Sequence, residues 1–451
     1  MQYIIKLGYK VAPFKIGPDF IDPGHHTKIC KKPSINLDSW MLSKKYNQSL
    51  FQAGCEGSDI AIVEGVMGLF DGYSGTSESG STAQMVKWLN LPVILVVDAK
   101  SMARSVAAIV QGFENFDKEL NIAGVLFNRV GSPNHYKYLK EAVEANCKTQ
   151  VLGYISRNDN IHLPDRHLGL VTAEEFNLPE HAMSELITMM DKNTSLKNFV
   201  KKIPELKTCS CVSTKPTDKK KDSHQVKIAV ARDKAFCFYY KDNIDILQKN
   251  GAKIVEFSPL TDDSLPDNVH GIYLGGGYPE LFAEKLSKNL SLLKAIKIKS
   301  RQNMPIYGEC GGFMYLCQSM TDLQKDIQYP MTGCFPFSVE MNPQMRSLGY
   351  REITLKNDLL LGRKGDVLRG HEFHYSSILN NDSYINRFNN GITNAYDVTQ
   401  RDGKELELYG FFKNRTLGSY LHIHFGSMKD SGSSFVQACL DFKNRESDFN
   451  A

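Results

Sequence analysis

Short apolar runs alternate with amphipathic segments along two stretches of the chain, and a polar interval separates them. In the first stretch, Lys10–Phe14, Asp59–Val66 (DIAIVEGV), Leu91–Asp98 (LPVILVVD) and Ile122–Asn128 read as strands. The later three are nearly continuous apolar runs, as expected of parallel strands buried on both faces. Thr82–Leu89 and Ala103–Phe113 read as helices between them, and Met1–Leu7 as a further helix. After the interval the alternation restarts, with strands at Val226–Ala231, Ile254–Phe257, His270–Leu274 and Met304–Tyr307 and a helix at Tyr239–Asn250. Alternating β and α elements predict an α/β class, with a doubly wound parallel sheet in the first half and another α/β domain in the second. The interval 201–225 is rich in Lys, Ser, Thr and Pro and lacks apolar period, so it is expected to be a linker. The expected domains are therefore 1–200 and 226–451. In open α/β sheets ligands sit beyond the carboxyl ends of strands, so chemistry is sought just after each run.

Composition narrows the function classes. A chain of 451 residues exceeds one compact core, and 42% hydrophobic with 23% charged residues is ordinary for a globular protein. A net charge of +4 makes no case for nucleic acid. No apolar run approaches the length of a membrane span, and the first ten residues are too mixed for a signal peptide. The ten cysteines are scattered without metal-binding spacing. Reduced thiols in a cytoplasm are the expectation.

Three segments of the second stretch carry chemistry. Pro305–Leu316 (PIYGECGGFMYL) reads as a strand, a sharp turn and a helix, with Gly308, Gly311 and Gly312 bending the backbone around Cys310. Gly-x-Cys-x-Gly is the cysteine form of a nucleophile elbow, which would present a thiolate at a helix N-terminus. Alone, it also suits a small buried cysteine in a turn. Gly275–Glu280 (GGGYPE) follows a strand and can aim backbone N–H groups at a developing oxyanion; Gly276 and Gly277, with Gly311, are the candidate donors. Gly418–Phe425 (GSYLHIHF) supplies His422 and His424, which would point to opposite strand faces, so that one of them serves Cys310; a pair of structural or metal-binding histidines is the other reading.

In this order the three segments resemble the class I glutamine amidotransferase domain of the cobyrinic acid a,c-diamide synthase family. Ala229–Phe257 and Gly370–Ser376 (GHEFHYS) resemble it too. The resemblance implies that Cys310 forms a glutamyl thioester and releases ammonia, with His422 as its partner and His424 as second choice. His424 stands where the general His-Pro-Glu motif has its glutamate, leaving open what orients His422.

In the first stretch, Lys15, Asp19 and Asp22 cluster after a strand, and Glu64 ends another, the pattern of a Mg²⁺-binding acid beside a phosphate site. Taken singly, each acid also suits a helix cap or a solvated loop. Lys10–Leu42 and Ile62–Gly75 resemble the ATP-dependent half of the same synthases, whose sheet is like that of dethiobiotin synthetase. The resemblance implies that Lys15, Asp19 and Glu64 bear on Mg·ATP, with Asp19 and Glu64 toward the metal. It assigns Asp71 to the substrate carboxylate and Asn128 to adenine. The family's P-loop, G-x-x-x-x-G-K-[ST], is not in the 451 residues. A start downstream of the true one is the favoured expectation, because the acids remain in motif context. A truncated homologue acting only as a glutaminase or corrinoid binder is the alternative.

The implied activity is a ligase of cobalamin biosynthesis that amidates the a and c carboxylates of cobyrinic acid, with ATP, Mg²⁺ and L-glutamine. Its expected partners are small molecules, with neither nucleic acid nor membrane, and a homodimer is compatible with it.

Overall fold

The computed structural model describes all residues except 159–160, 162–164, 167–168, 177, 204–225, 322–326, 380–390, 401–402 and 450–451. Most of the expected linker thus lies outside the described residues. The chain divides into two compact units, Met1–Ser213 and Thr214–Ala451.

The first unit carries two three-stranded parallel sheets rather than one continuous sheet. One has the order Ile35–Leu37, Val11–Ile16, Ile60–Glu64; the other Val93–Asp98, Ile122–Val130, Val151–Ser156. All six residues of Val11–Ile16 are buried. Ala12, Phe14 and Ile16 pack with Leu37 and Met85, while Val11 packs with Tyr3, Ile4 and Leu152. This two-sided burial is why the strand reads as an apolar run. Val93–Asp98 departs from that expectation, because Ile94 and Val96 are exposed.

The second unit is built on a ten-stranded mixed sheet. Its parallel half runs Ala252–Phe257, Val226–Ala231, Gly271–Leu274, Ile306–Glu309, Thr416–Ser419. Its antiparallel half adds Glu405–Lys413, Thr393–Thr399, Ser347–Leu355, Val367–His374 and the short His422–Ile423. Alternation decides which core each residue enters. Ile272, Leu274 and Ile306 join one cluster with Phe313 and Phe335; Tyr273 and Tyr307 join the opposite one with Phe425 and Phe435.

The elbow's glycines are dictated by contact. A Cβ on Gly312 would stand 2.1 Å from the Leu274 carbonyl oxygen, and one on Gly308 2.6 Å from Leu316 Cδ1. The helix Gly311–Leu316 can lie against the strands only without those atoms. Gly312→Ala is expected to lower stability by about 1–3 kcal/mol, the usual cost of overpacking. Urea unfolding checks this; an unchanged midpoint would show that the backbone yields freely.

Candidate functional site

Cys310 stands between the strand Ile306–Glu309 and the helix Gly311–Leu316, at φ 48° and ψ −106°. A positive φ at a non-glycine residue is sparsely populated and costs of order 1–3 kcal/mol, sustained only where surroundings fix it. The surroundings are specific. Cys310 N–H donates to the Ser419 carbonyl at 2.8 Å, and its carbonyl accepts from Met314 N–H at 2.9 Å. The thiol is buried and directed at the Phe373 carbonyl, 3.9 Å away.

The Gly275–Gly277 loop packs on this elbow. A Cβ on Gly311 would lie 3.1 Å from Gly277 N, so the two amides of the expected oxyanion hole are neighbours. Gly276 departs from the expectation. Its N–H donates to the Phe238 carbonyl at 3.2 Å, so that amide is committed elsewhere. What Gly276 supplies is room: a Cβ there would stand 2.3 Å from His422 Cε1.

The two histidines separate clearly. His422 pairs across the sheet with His371, and their rings stack at 4.9 Å. His424 instead caps the turn Phe425–Ser427, its Nδ1 accepting the Gly426 N–H at 3.1 Å, with its ring 4.7 Å from Tyr240. Both are buried. The segment Gly370–Ser376, which the family resemblance also covers, runs beside Cys310. It brings His371 to His422 and the Phe373 carbonyl to Cys310.

Glu309, which sequence reasoning did not single out, is almost wholly buried next to Cys310. Its Oε1 accepts from Tyr307 OH at 2.7 Å and from Ile423 N–H at 3.2 Å, and its Oε2 accepts from Tyr273 OH at 3.0 Å. His422 Nδ1 lies 3.9 Å from that Oε2. The glutamate was visible in the sequence as the residue before Cys310. The donors that give it meaning come from distant segments.

Burial sets the resting charge. It pushes the Cys310 thiol up to about 12, helped by the nearby Glu280 and opposed by the Gly311 N–H. The expected stabilised thiolate is thus overruled by desolvation. Burial also pushes His422 down to about 3. At neutral pH the pair rests as thiol and neutral imidazole. Glu309 is raised by burial to about 7, against the pull of its hydrogen bonds.

In the first unit, the register pairs Lys15 with Glu64 across parallel strands. Lys15 Nζ lies 3.5 Å from Glu64, 3.4 Å from Asp19 and in short contact with Asp22. Asp22 and His26 are one turn apart on the helix Ile21–Cys30, and His26 Nε2 meets Glu64 at 2.5 Å. His26 was quoted in the sequence but assigned nothing. Asp19 Oδ1 accepts the N–H groups of Ile21 and Asp22, and Asn36 ties the Gly17 and Asp19 carbonyls. Burial lowers and the carboxylates more than restore the Lys15 pKa, which ends raised; Asp19 ends raised, by burial and then by Asp22. Asp71 is not brought into this cluster: exposed, it accepts the Gly68 N–H at 2.9 Å within its own loop. Asn128 Oδ1 likewise accepts from the next residue, Arg129. Among the described residues no group of three or more His, Cys, Asp or Glu forms a metal-binding cluster.

Comparison with known proteins adds two domain matches and a set of relatives. Residues 227–430 match the CobB/CobQ-like glutamine amidotransferase domain, and residues 1–171 the CobQ/CobB/MinD/ParA nucleotide binding domain. The cobyrinate a,c-diamide synthase of Caldanaerobacter subterraneus subsp. tengcongensis is 39% identical over 446 residues, covering 97% of this chain and 94% of the relative. The synthase of the same name from Leptospira interrogans is 40% identical over 442 residues, with the same coverage. That of Priestia megaterium is 39% identical over 451 residues, covering 99% and 94%.

A thiol held near 12 has a pH signature. Alkylation of Cys310 by iodoacetamide, followed by peptide mass spectrometry without glutamine, is expected to accelerate up to at least about pH 10. A plateau with a midpoint below about pH 8 would mean a thiolate already stabilised at rest.

Proposed function

We propose, since this chain belongs to the cobyrinate a,c-diamide synthase family, that it converts the a and c side-chain carboxylates of cobyrinate to amides in the making of cobalamin. Glutamine is the nitrogen donor and ATP activates each carboxylate. The observation that carries this reading is the buried Cys310 elbow packed on the Gly275–Gly277 loop, which in turn lies against the His422 ring, inside the segment that matches a glutamine amidotransferase domain.

In the second unit the chemistry follows from two neutral partners. His422 takes the thiol proton as Cys310 Sγ attacks the amide carbon of glutamine. The oxyanion that forms is met by the Gly277 and Gly311 N–H groups, preorganised by the packing of their loops. The imidazolium returns its proton to the nitrogen, the C–N bond breaks, and ammonia leaves a glutamyl thioester. Water then releases glutamate and restores the thiol. Because charge separates only during attack, a dry site favours donors already in place.

In the first unit, Lys15 is the charge that meets phosphate oxygens, with Asp22 holding its ammonium in position. Magnesium usually binds through one or two carboxylates together with phosphates and water; Asp19 and Glu64, both beside Lys15, are the carboxylates that would hold it. When bound, the ion would offset the negative charge of the nucleotide. ATP converts a side-chain carboxylate to an acyl phosphate, and ammonia displaces phosphate to give the amide. The chain is read as cytoplasmic, with small molecules as its partners.

Incubation with cobyrinate, ATP, Mg²⁺ and glutamine, followed by mass spectrometry of the corrin, tests the reading. The diamide is expected, and recovery of unmodified cobyrinate would contradict it. Cys310→Ala should abolish ammonia release from glutamine. His422→Ala should lower that turnover by roughly 10²-fold or more, the scale of losing a general base, and His424→Ala far less. The reverse order for the histidines would reassign the base.

A further inference from the structure

The pair of Cys310 and His422 leaves one question that its own atoms do not answer. An imidazole that takes a proton at Nε2 must carry one at Nδ1, and something must hold the ring in that tautomer. His424 cannot do so, because its Nδ1 is committed to Gly426.

Glu309 Oε2 is 3.9 Å from His422 Nδ1. The carboxylate has little freedom to turn elsewhere. Tyr273 and Tyr307 are neighbours at the same register of adjacent strands, with ring centroids 5.3 Å apart, and each donates its hydroxyl to one carboxylate oxygen. The Ile423 N–H, one residue beyond His422, donates to Oε1 at 3.2 Å. Glu309 therefore grips the backbone of the strand that carries His422, and its second oxygen faces the ring.

We propose that Glu309, the residue immediately before the nucleophile, is the positioning residue of the dyad. In this role its Oε2 accepts the Nδ1–H of His422, fixes the tautomer whose Nε2 takes the Cys310 proton, and stabilises the imidazolium formed as the thiol loses that proton. This rests on the Cys310–His422 reading above. A separation of 3.9 Å exceeds a hydrogen bond, but such contacts tighten when substrate is bound. The carboxylate thus comes from the nucleophile strand, and the position two residues after the histidine is left to cap a turn.

The environment gives this role a pH dependence. The titratable groups facing Glu309 are His422, the Cys310 thiol and the phenols of Tyr239, Tyr273, Tyr307 and Tyr396. Burial raises Glu309 to about 7. Only the ionised form accepts a proton-bearing nitrogen at both oxygens. Glutamine turnover is therefore supported above that pH and lost as pH falls through it.

The test measures glutamine hydrolysis by the full chain for wild type and for Glu309→Gln, Glu309→Asp and Tyr273→Phe, with thermal unfolding alongside. Glu309→Gln should lower kcat by roughly 10²-fold or more at unchanged KM and abolish the acid limb, as expected when a histidine loses its orienting carboxylate. Glu309→Asp should recover part of the rate. Tyr273→Phe removes one donor to the carboxylate and should move the acid limb to higher pH, a readout that holds even where Glu309→Gln fails to fold. An unmoved limb in Tyr273→Phe, or a Glu309→Gln loss that merely follows the unfolded fraction, overturns the proposal. Cys310→Ala and His422→Ala separate the two levels. If both are inactive, such results remove Glu309 alone; if either keeps wild-type turnover, the dyad falls and Glu309's role with it.

Discussion

The site in the second unit depends on how closely three backbones approach one another. The elbow helix lies on the Leu274 carbonyl with no atom to spare at Gly312. The Gly276 backbone lies against the His422 ring, and a Cβ on Gly370 would stand 2.3 Å from the His422 carbonyl oxygen. Glycine is required at these positions for what it lacks. Remove that closeness and the amides of Gly277 and Gly311 separate, the imidazole loses its wall, and Cys310 has no reason to hold a positive φ. Packing density is what positions the chemistry.

The same closeness decides the electrostatics. Excluding water from Cys310 and His422 drives both to their neutral forms, one up and the other down. A thiol at rest is protected from adventitious oxidation, and in the proposed reaction its activation is postponed to the moment a substrate supplies an electrophilic carbon. The first unit solves the opposite problem. Lys15 is buried yet remains charged, because Asp19, Asp22 and Glu64 surround it and Glu64 is itself held by His26. One site stores neutrality and the other stores paired charge, which suits a thiol nucleophile and a phosphate contact respectively.

What was legible in the sequence was local in the chain. The elbow reads directly, because strand, glycines and helix are contiguous. Strands such as Val226–Ala231 and Gly271–Leu274 read because burial on both faces writes an apolar run. Lys15, Asp19 and Asp22 read as a cluster because they fall within eight residues. The antiparallel half of the second sheet did not read, since Ser347–Leu355 and Glu405–Lys413 mix polar and apolar positions without a long apolar run. Glu309 was in view but mute. Its meaning depends on Tyr273, 36 residues away, and on Ile423, 114 residues away. Gly276 was given the wrong task for a similar reason, because only the fold reveals that Phe238 takes its N–H. The first unit's parallel strands were expected as one sheet and occur as two, with Ile60–Glu64 and Val93–Asp98 not joined by a ladder among the described strands.

The most direct test of the account is covalent capture by a glutamine analogue whose amide is replaced by an electrophilic ketone, with the site read by peptide mass spectrometry. The account predicts a single label among the ten cysteines, on Cys310, competed away by glutamine and accompanied by loss of ammonia release. A label on another residue, or continued ammonia release from a chain fully labelled at Cys310, would contradict it.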